Sequence, residues 1–497
     1  MADFIVAIEL GSSKITGIAG RKNPDGSLSV TAVASEDSST FINKGVVYNI
    51  DKTVQAITNI ISKLEKTLKA KIARVYVGVG GRSIHSVINT HVKDLPAGTV
   101  VTQEMVDQMM DVNRGMDYPE MNILDVVTQE YKVDSQYQLD PVGIPCSRLE
   151  GNFLNILFRK TFYRNLTKCF ESAGVAIAEL FLAPLALADV VLTDNDKRSG
   201  CMLIDLGADT TTVAVYHKSV LRNLTVLPLG SANITKDIAS LQIDELEAEK
   251  MKLRYASASM EDKDLNSDGS YPAGNDVNVP IPTFSKIVAD RFYEIIYNAL
   301  NVVPDGLYEK LTGGIVLTGG GSNMKNVDEA VKRIAKVKKV RIAHDVLLTV
   351  NSTNPLITAH DGRMNTLLGL LAKGDMNCAG PEFSNGLFDN PSVVNSMNGT
   401  AAGVNSIGGV QNGSSANSGI SHAPGSGVVM DNSGKVGEET GRSTDGLEKK
   451  NAARKDDDKE NGAEDEEREA KPTILSKFKH SMGRFFKTII SEEEDEK

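Results

Sequence analysis

The chain has 497 residues, a formal net charge of -11 and four cysteines without metal-ligand spacing. This length predicts two to four domains, and the acidic balance argues against wholesale nucleic-acid binding. Scattered cysteines favour a reduced, cytoplasmic protein, and the start of the chain lacks the basic residues of a signal peptide. The most apolar stretch, residues 175–193, contains Glu179, Pro184 and Asp189. It therefore predicts a buried helix rather than a membrane span.

Strand and helix patterns alternate through the first 378 residues, which is typical of an α/β protein. Apolar runs predict strands at 4–8, 15–19, 74–81, 124–133 and 315–318. Helical patterns cover residues 51–69, 102–114, 163–194, 324–336 and 360–373, and residues 257–282 are predicted to be a polar loop.

The composition of the chain changes after Gly380. Gly, Ser and Asn dominate to about residue 443, and a mixed-charge, acid-rich run follows to about residue 471. Such segments cannot bury enough apolar surface to offset the entropy of ordering. Residues 379–471 are therefore predicted to be a disordered linker. As a flexible coil, a linker of this length would span roughly 50–60 Å.

Two segments of the sequence match each other, IELGSS at residues 8–13 and IDLGAD at residues 204–209. Each continues an apolar strand and precedes a strand that contains threonine, so the pair indicates a duplicated fold. A glycine turn lets backbone N–H groups approach phosphate oxygens, and hydroxyl groups add donors. The predicted phosphate-binding residues are Gly11, Ser12, Ser13, Lys14, Gly207, Ala208, Asp209, Thr210 and Thr211. The carboxylates that precede the turns, Glu9 and Asp205, can hold Mg²⁺ through water.

Two further motifs are weak when each is taken alone. The glycines at 319–321 lie between a predicted strand and a predicted helix, where a flat ligand can approach the backbone. Such a loop also serves simply to pack a helix on a sheet. Glu249 and Lys252 share a charged helical stretch, which by itself indicates a solvated helix face.

The order of the four motifs resembles that of the actin and heat-shock-chaperone ATPase superfamily. The resemblance implies an α/β, ribonuclease H-like fold that is duplicated into two lobes, with ATP and Mg²⁺ bound between them. In that superfamily the first two motifs bind phosphates and the last two hold the nucleoside. The residues implied for the nucleoside are Glu249, Lys252, Gly319, Gly320, Gly321, Ser322 and Asn323.

Within this superfamily the sequence is most similar to the FtsA family of cell division proteins. The similar stretches are VLTDND at 191–196, PLG at 228–230 and AEKMKLRY at 248–255. One departure is the second phosphate loop, which usually continues with Gly-Gly but in this chain has Ala208 and Asp209. A carboxylate near the phosphates weakens their binding unless Mg²⁺ or hydroxyl groups compensate. We therefore expect slow ATP hydrolysis at most, and no catalytic base is assigned.

The family resemblance also implies the domain organisation. It predicts an inserted subdomain, called 1C or SHS2, that serves contacts with other protomers and other division proteins. The implied boundaries are 1–82 with 163–200 for lobe one (1A), 83–162 for the insert, 201–230 with 313–378 for lobe two (2A), and 231–312 for subdomain 2B. The linker at 379–471 is then followed by a helix at 472–491 and an acidic tail at 492–497.

The predicted C-terminal helix is amphipathic. On a helical projection its apolar residues fall within an arc of about 120° and its basic residues lie opposite. This composition is typical of a helix that lies in a membrane interface and is attracted to anionic lipid. The alternative is a helix that docks in a groove of another protein. The predicted membrane-binding residues are Ile474, Leu475, Phe478, Met482, Phe485, Phe486, Ile489, Lys477, Arg484 and Lys487.

The FtsA resemblance implies a peripheral protein on the cytoplasmic face of the inner membrane, at the division septum. Its implied partners are the C-terminal peptide of FtsZ, bound by subdomain 2B, and further copies of itself in filaments. Three alternatives remain open, namely a PilM-like pilus-assembly adaptor, a sugar kinase of the same superfamily and an MreB-like filament protein. The terminal helix argues against PilM, the lack of a catalytic carboxylate motif argues against a kinase, and the insert argues against MreB.

Overall fold

The computed structural model describes residues 3–274 and 277–380, apart from the side chains of Asp262 and Lys263. The predicted linker beyond its first two residues, the predicted amphipathic helix and the acidic tail lie outside these residues. Within the described ranges, no helix has the length and apolar character that a membrane crossing requires.

Strands and helices alternate along the whole described chain. The first half contains β1 (Ile5–Leu10), β2 (Lys14–Lys22), β3 (Leu28–Asp37), β4 (Ile42–Asn43), β5 (Val46–Val47), α1 (Ile50–Leu68), β6 (Arg74–Val79), β7 (His85–Val100), α2 (Gln103–Arg114), β8 (Met121–Val133), β9 (Gln136–Gln138), β10 (Pro145–Arg159), α3 (Lys160–Ser172), β11 (Ala176–Leu182), α4 (Ala183–Val191) and α5 (Asp194–Ser199).

The second half contains β12 (Cys201–Leu206), β13 (Thr211–His217), β14 (Val220–Leu227), α6 (Ser231–Ala239), α7 (Glu245–Tyr255), α8 (Asp262–Leu265), β15 (Ser270–Pro272), β16 (Asn278–Pro280), α9 (Ile281–Asn301), β17 (Gly314–Thr318), α10 (Val327–Ala335), β18 (Val340–Ile342), β19 (Val350–Asn351) and α11 (Asn365–Lys373).

The two lobes repeat one arrangement of strands. In lobe one, β1 pairs antiparallel with β2 and parallel with β6, in a sheet of order β11-β6-β1-β2-β3-β19. In lobe two, β12 pairs antiparallel with β13 and parallel with β17. Both hairpins close in the same register, with Leu10 opposite Ile15 and Leu206 opposite Thr211. The matching sequence segments therefore occupy equivalent positions, and the predicted duplicated α/β fold is confirmed.

Helix α1 shows how the local sequence sets an element of lobe one. The Asn49 side chain accepts a hydrogen bond from the backbone N–H of Lys52, which caps the start of the helix. Its apolar residues at helical spacing, including Ile57, Ile60 and Leu64, are fully buried. Lys69 then adopts a left-handed conformation with φ of 53° and ends the helix.

Helices α4 and α11 form the joint between the lobes. Helix α11 lies against β1, β2 and β6, and α4 contacts both α11 and β13. The two helices pack so closely that a Cβ atom on Gly369 would lie 2.3 Å from the carbonyl oxygen of Ala186. Only a residue without a side chain allows this separation.

The insert, comprising β7, α2, β8, β9 and β10, has a small core of its own. This core consists of Val101, Met109, Tyr131, Val133, Cys146, Leu149 and Phe153. The backbone pair of Thr225 with His85 joins its sheet to β14 of lobe two, beside a hydrogen bond from the N–H of Val226 to the Ile84 carbonyl oxygen at 3.1 Å. Polar contacts supplement that pair, because Ser86 bonds to Asn223 at 3.0 Å and the Gln129 amide donates to the Leu221 carbonyl oxygen at 2.8 Å.

The predicted helical region at residues 163–194 is wrong in its middle part. Residues 176–182 form the strand β11, which pairs parallel with β6, and only residues 183–191 of the apolar stretch form the helix α4. Gly174, with φ of 73°, separates α3 from this strand. Residues 176–182 are mainly apolar and mostly half-buried, so their sequence has no periodicity that distinguishes a strand from a helix.

The predicted polar loop at 257–282 also contains regular structure, namely α8 and the β15–β16 hairpin. The ring of Tyr271 stacks on Tyr255 at a centroid distance of 4.1 Å, and Phe284 meets both rings edge-on. This aromatic group attaches the hairpin to α7 and α9.

The last described residues are hydrogen bonded to lobe one. The backbone N–H of Cys378 donates to the carbonyl oxygen of Phe4 at 2.8 Å, and that of Gly380 donates to Lys71 at 2.8 Å. The N–H of Val6 also donates to the Cys378 sulfur at 3.3 Å. The chain therefore leaves this part of the protein beside the start of β1.

Candidate functional site

The turns of the two hairpins face one cleft with a volume of about 920 Å³. Of the residues predicted for phosphate, nucleoside or metal binding, those that line it are Glu9, Gly11, Ser12, Ser13, Lys14, Asp205, Gly207, Ala208, Asp209, Thr210, Glu249, Lys252, Gly319, Gly320, Gly321 and Asn323. Four motifs that are far apart in the sequence thus meet around one space.

The two hairpin turns have nearly the same geometry. The N–H of Gly11 donates to the Lys14 carbonyl oxygen at 3.0 Å, and that of Gly207 donates to Thr210 at 2.9 Å. A Cβ atom added to Gly11 would lie 2.7 Å from the Lys14 carbonyl oxygen, and one added to Gly207 would lie 2.8 Å from the Thr210 carbonyl oxygen. A side chain at either position would therefore open the turn.

The first turn is fixed to its surroundings by Ser12. The Ser12 hydroxyl accepts a hydrogen bond from the N–H of Gly45 at 2.8 Å, and the residue is largely buried. Ser13 and Lys14 are exposed in the cleft. Gly45 itself packs against Gly80, where an added Cβ atom would lie 2.4 Å from the carbonyl oxygen.

The second turn tolerates alanine at 208 because that residue acts through its backbone. The carbonyl oxygen of Ala208 accepts a hydrogen bond from the N–H of Ala232 at 2.7 Å, and that of Gly207 accepts one from Ser231 at 2.9 Å. These contacts hold the turn against the first turn of α6. Asp209 lines the cleft beside it.

Thr211 and Ser322 lie outside the cleft, contrary to their predicted roles. Thr211 is fully buried and its hydroxyl donates to the Leu229 carbonyl oxygen at 2.8 Å. Thr212 lines the cleft instead, because successive side chains of a strand point to opposite faces. The Ser322 hydroxyl donates to the Gly319 carbonyl oxygen at 2.7 Å and so closes its own turn.

The two carboxyl groups at the base of the cleft have raised pKa values. Burial, together with the nearby charge of Asp205, raises the pKa of Glu9 to about 8. Burial alone raises the pKa of Asp205 to about 6. A bound cation would favour the ionised forms.

Two carboxyl groups that face one space, with hydroxyl groups around them, fit an Mg²⁺ ion that keeps most of its water. Among the described residues, no group of three or more His, Cys, Asp or Glu side chains is arranged to hold a metal ion directly.

On the other wall, Lys252 is the centre of a charged group. Its ammonium nitrogen lies 2.7 Å from a carboxylate oxygen of Glu249 and donates to the Thr235 hydroxyl at 2.8 Å. It also donates to the Ser231 carbonyl oxygen at 3.2 Å. Because the Lys252 side chain is only 9% exposed, these partners fix the direction of Glu249 at the cleft.

Several residues that line the cleft are not predicted from the sequence. They are Thr16, Ser35, Glu36, Asp37, Lys325, Leu356 and Arg363, among others. The Arg363 guanidinium is held by Asp361 and its aliphatic part lies beside Gly320. A basic residue so far from any motif carries no local signal, whereas Thr16 could have been found from the strand alternation after the first turn.

Comparison with known proteins identifies the family. Cell division protein FtsA of Porphyromonas gingivalis is 32% identical over 361 residues, which cover 69% of this chain and 75% of that protein. FtsA of Neisseria meningitidis is 31% identical over 339 residues, which cover 67% of this chain and 81% of that protein. The chain belongs to the FtsA family.

The FtsA assignment agrees with the matches to family models. The model of cell division protein FtsA matches residues 202–362, and the model of the SHS2 domain inserted in FtsA matches residues 81–157. The latter range contains β7 to β9 and most of β10. The predicted membership of the actin-like ATPase superfamily, as an FtsA-type cell division protein with an SHS2 insert, is therefore confirmed.

A solved structure titled "PilM-PilN type IV pilus biogenesis complex" shares the fold. It aligns with a TM-score of 0.50 and 15% identity, covering 74% of this chain and 97% of that chain. At that identity the likeness concerns the fold alone, whereas the sequence places the chain in the FtsA family.

Proposed function

We propose that this FtsA-family protein binds Mg²⁺·ATP in the cleft and attaches FtsZ to the cytoplasmic face of the cell membrane at the division septum. The observation that carries the nucleotide part is the pair of equivalent glycine turns, whose residues line one cleft together with Glu9 and Asp205. A bound nucleotide would supply triphosphate charge, which turn N–H groups and Lys14 are suited to meet.

Each wall of the cleft has a separate task in this proposal. Glu9 and Asp205 hold the metal ion through its water, and the Gly319 to Gly321 backbone packs against the nucleoside. Glu249, directed by Lys252, accepts hydrogen bonds from ribose hydroxyls. With a pKa of about 8, Glu9 is largely protonated at neutral pH until a cation binds.

Subdomain 2B is the proposed site for the C-terminal peptide of FtsZ. Helix α9 presents Tyr293, which is 49% exposed and stacks on Tyr297 at a centroid distance of 5.8 Å. Arg291 on the same helix is held by Asp237 and Glu294. The exposed ring of Tyr293, stacked on Tyr297, suits the apolar residues of a peptide, and the Arg291 ion pair with Asp237 holds α9 against α6.

The membrane part of the proposal rests on the sequence of the C-terminal helix. Its apolar face includes Phe478, Phe485 and Phe486, and its basic residues attract anionic lipid. Self-association into filaments and contacts of the insert with other division proteins complete the proposal.

Co-sedimentation with anionic vesicles tests the proposal. Full-length protein should pellet with the vesicles and carry FtsZ with it, and Phe485→Glu on the apolar face should abolish both effects. Ser476→Glu adds the same charge on the opposite face and should retain them. If Phe485→Glu pellets as well as the unaltered chain, the helix is not the anchor. If the protein pellets without FtsZ, the adaptor role is rejected and a PilM-like role becomes the better hypothesis.

Nucleotide binding needs its own measurement. Titration of full-length protein with a fluorescent ATP analogue and Mg²⁺ should give saturable binding. Asp205→Asn should weaken it at least tenfold, since it removes one of two carboxylates at the cation. Equal affinities for both proteins would reject the assigned metal position.

A further inference from the structure

A group of basic side chains surrounds the turn between β13 and β14. We call Arg198, Lys218, Lys310 and Lys339 the basic cluster, and all four residues are exposed. They lie near the first residues of β12 and β17. The opposite ends of these two strands lead to Asp205 and Gly319, which line the proposed nucleotide cleft. A strand of five or six residues spans about 17–20 Å. The cluster therefore has no access to a nucleotide in the cleft.

Backbone contacts bring these four side chains together from separate segments. The N–H of Lys218 donates to the Arg198 carbonyl oxygen at 3.2 Å, and the N–H of Gly313 donates to Gly200 at 2.7 Å. A Cβ atom on Gly200 would lie 2.7 Å from the carbonyl oxygen of Lys310. The N–H of Ile315 donates to the Lys339 carbonyl oxygen at 2.9 Å, which places the fourth member at the same edge.

Two of the nearby acidic groups, Asp196 and Asp189, are already paired with cations, and Asp196 is shared by Lys339 of the cluster. Asp196 is bound by Arg341 at 2.8 Å and lies 3.7 Å from Lys339, and Asp189 is bound by Lys197 at 2.7 Å and by Lys373 at 2.8 Å. Within the described residues, no carboxylate forms an ion pair with Arg198, Lys218 or Lys310. In a chain of net charge -11, this leaves a local surplus of positive charge at one edge of lobe two.

The electrostatics of His217 agree with this surplus. Burial lowers the pKa of His217, and the positive charges of Arg222, Lys218 and Lys310 lower it further. Lys218 and Ser219 form the two-residue turn, both with positive φ, of 55° and 64°. Asn and Gly are the usual residues of such a turn. Lys218 therefore occupies a turn position whose backbone conformation favours Asn or Gly.

We propose that the basic cluster is a second membrane contact, which places this edge of lobe two against the headgroups of anionic lipids. The four exposed charged groups lie on one edge of lobe two, where they can meet a planar surface together. The inference rests on the proposed association of the protein with the membrane.

The competing occupant is the acidic tail at residues 492–496 of the same chain. That segment has cations much closer along the chain, including Arg484 and Lys487 of the proposed membrane helix. Lipid is therefore the favoured occupant, and the two possibilities predict opposite effects of removing the cluster.

The test uses full-length protein in which Arg198→Gln, Lys218→Gln and Lys310→Gln are combined. The matched control combines Lys52→Gln, Arg164→Gln and Lys168→Gln, which removes the same charge from exposed positions of lobe one. Affinity is measured by co-sedimentation with vesicles of phosphatidylcholine containing increasing phosphatidylglycerol, at several salt concentrations. Thermal unfolding checks that each protein is folded.

We expect the cluster variant to bind anionic vesicles at least tenfold more weakly, with a shallower salt dependence, because each basic residue near such a surface contributes about fivefold. The control variant should change by less than twofold. An equal loss in both variants, or no loss in the cluster variant, overturns the inference. Stronger binding by the cluster variant also overturns it, because it would mean that the cluster holds the acidic tail.

The helix variant Phe485→Glu separates this inference from the proposed function. If Phe485→Glu abolishes binding while the cluster variant binds normally, the anchor stands and the basic cluster is not a lipid contact. If Phe485→Glu binds normally and the cluster variant does not, the anchor is wrong and the cluster inference stands.

Orientation provides an independent measurement. A fluorophore on Ser219→Cys should be quenched by spin-labelled lipid, and one on Ser62→Cys of α1 should not. The native cysteines in the described residues are buried, which favours selective labelling. Equal quenching at both positions would reject a specific orientation.

Discussion

A methyl group on Gly319 would lie 2.3 Å from a carboxylate oxygen of Asp205. The backbone at Gly319, directly after β17, therefore lies so close to the Asp205 carboxylate at the proposed metal site that only glycine fits there. Gly319 also has φ of 84°, which L side chains rarely adopt.

Gly319→Ala should weaken nucleotide binding at least tenfold and lower the free energy of unfolding by about 1–3 kcal/mol, since it combines a clash with backbone strain. Fluorescent-nucleotide titration and chemical denaturation measure the two effects. Gly115→Ala is the control, because Gly115 lies outside the cleft and its new Cβ atom would meet nothing closer than 3.4 Å. Similar behaviour of both variants would contradict the close approach of Gly319 to Asp205.

The raised pKa of Glu9 predicts a pH dependence of stability without nucleotide or Mg²⁺. Between the ordinary pKa of 4.5 and the folded value of about 8, the folded state binds a proton that the unfolded state has released. Stability therefore falls as pH rises through this window, by up to about 1.4 kcal/mol per pH unit. Glu9→Gln should flatten the slope, as followed by denaturation from pH 5.5 to 8.5. An unchanged slope would mean that Glu9 is ionised in the free protein.

The same proton links pH to ligand binding. Because Mg²⁺ requires the ionised carboxylate, binding of Mg²⁺·ATP at pH 7 should release close to one proton from Glu9. Affinity should then rise with pH up to about 8 and level off. Calorimetry in buffers of different ionisation enthalpy counts the protons. Proton release that persists in Glu9→Gln would assign the titration to another group, such as Asp205.

Lys252→Met should lower both nucleotide affinity and stability. The substitution removes a nearly buried ammonium group and leaves Glu249 and the Ser231 carbonyl without their cation. A loss of about 1–3 kcal/mol in unfolding free energy is expected. Lys250→Met is the matched control, since that side chain is 72% exposed and pairs only with Glu247. If the two variants are equally stable, the Lys252 group is not structural.

The joint between the lobes gives a prediction about packing alone. Gly369→Ala would force a Cβ atom against the Ala186 backbone and separate α4 from α11, at a cost of about 1–3 kcal/mol or more. Gly115→Ala, whose nearest contact would be 3.4 Å, should stay within about 0.5 kcal/mol of the parent. Differential scanning calorimetry compares them, and equal midpoints would reject the close crossing.

The sequence predicts the parts of the cleft that depend on local backbone chemistry. The two glycine turns are recognisable because each requires its own glycine and repeats the pattern of the other. The prediction for Thr211 is wrong, because its position relative to the cleft depends on strand register rather than on proximity to the turn. Arg363 escapes prediction because the fold alone brings it beside Gly320.

In the fold, too, the sequence predicts elements that depend on local patterns and misses those that depend on long-range pairing. Helix α1 is predicted nearly to its ends, since its buried face has clear helical spacing and Asn49 caps it. The sequence predicts a helix where strand β11 lies, because its mainly apolar residues do not alternate with polar ones and so do not reveal the period of a strand. The pairing of β11 with β6 joins residues that are far apart in the chain, and a single sequence gives no signal for it.

The bonds that fasten Cys378 and Gly380 to lobe one determine where tension would enter the protein. A force transmitted along the chain from beyond residue 380 would be borne first by the hydrogen bonds to Phe4 and Lys71, and by the contact between Val6 and the Cys378 sulfur. Part of that load falls on strand β1, through Phe4 and Val6, and this strand runs directly into the turn at Gly11. Mechanical pull on the predicted linker and occupancy of the proposed first phosphate loop would therefore act on the same strand.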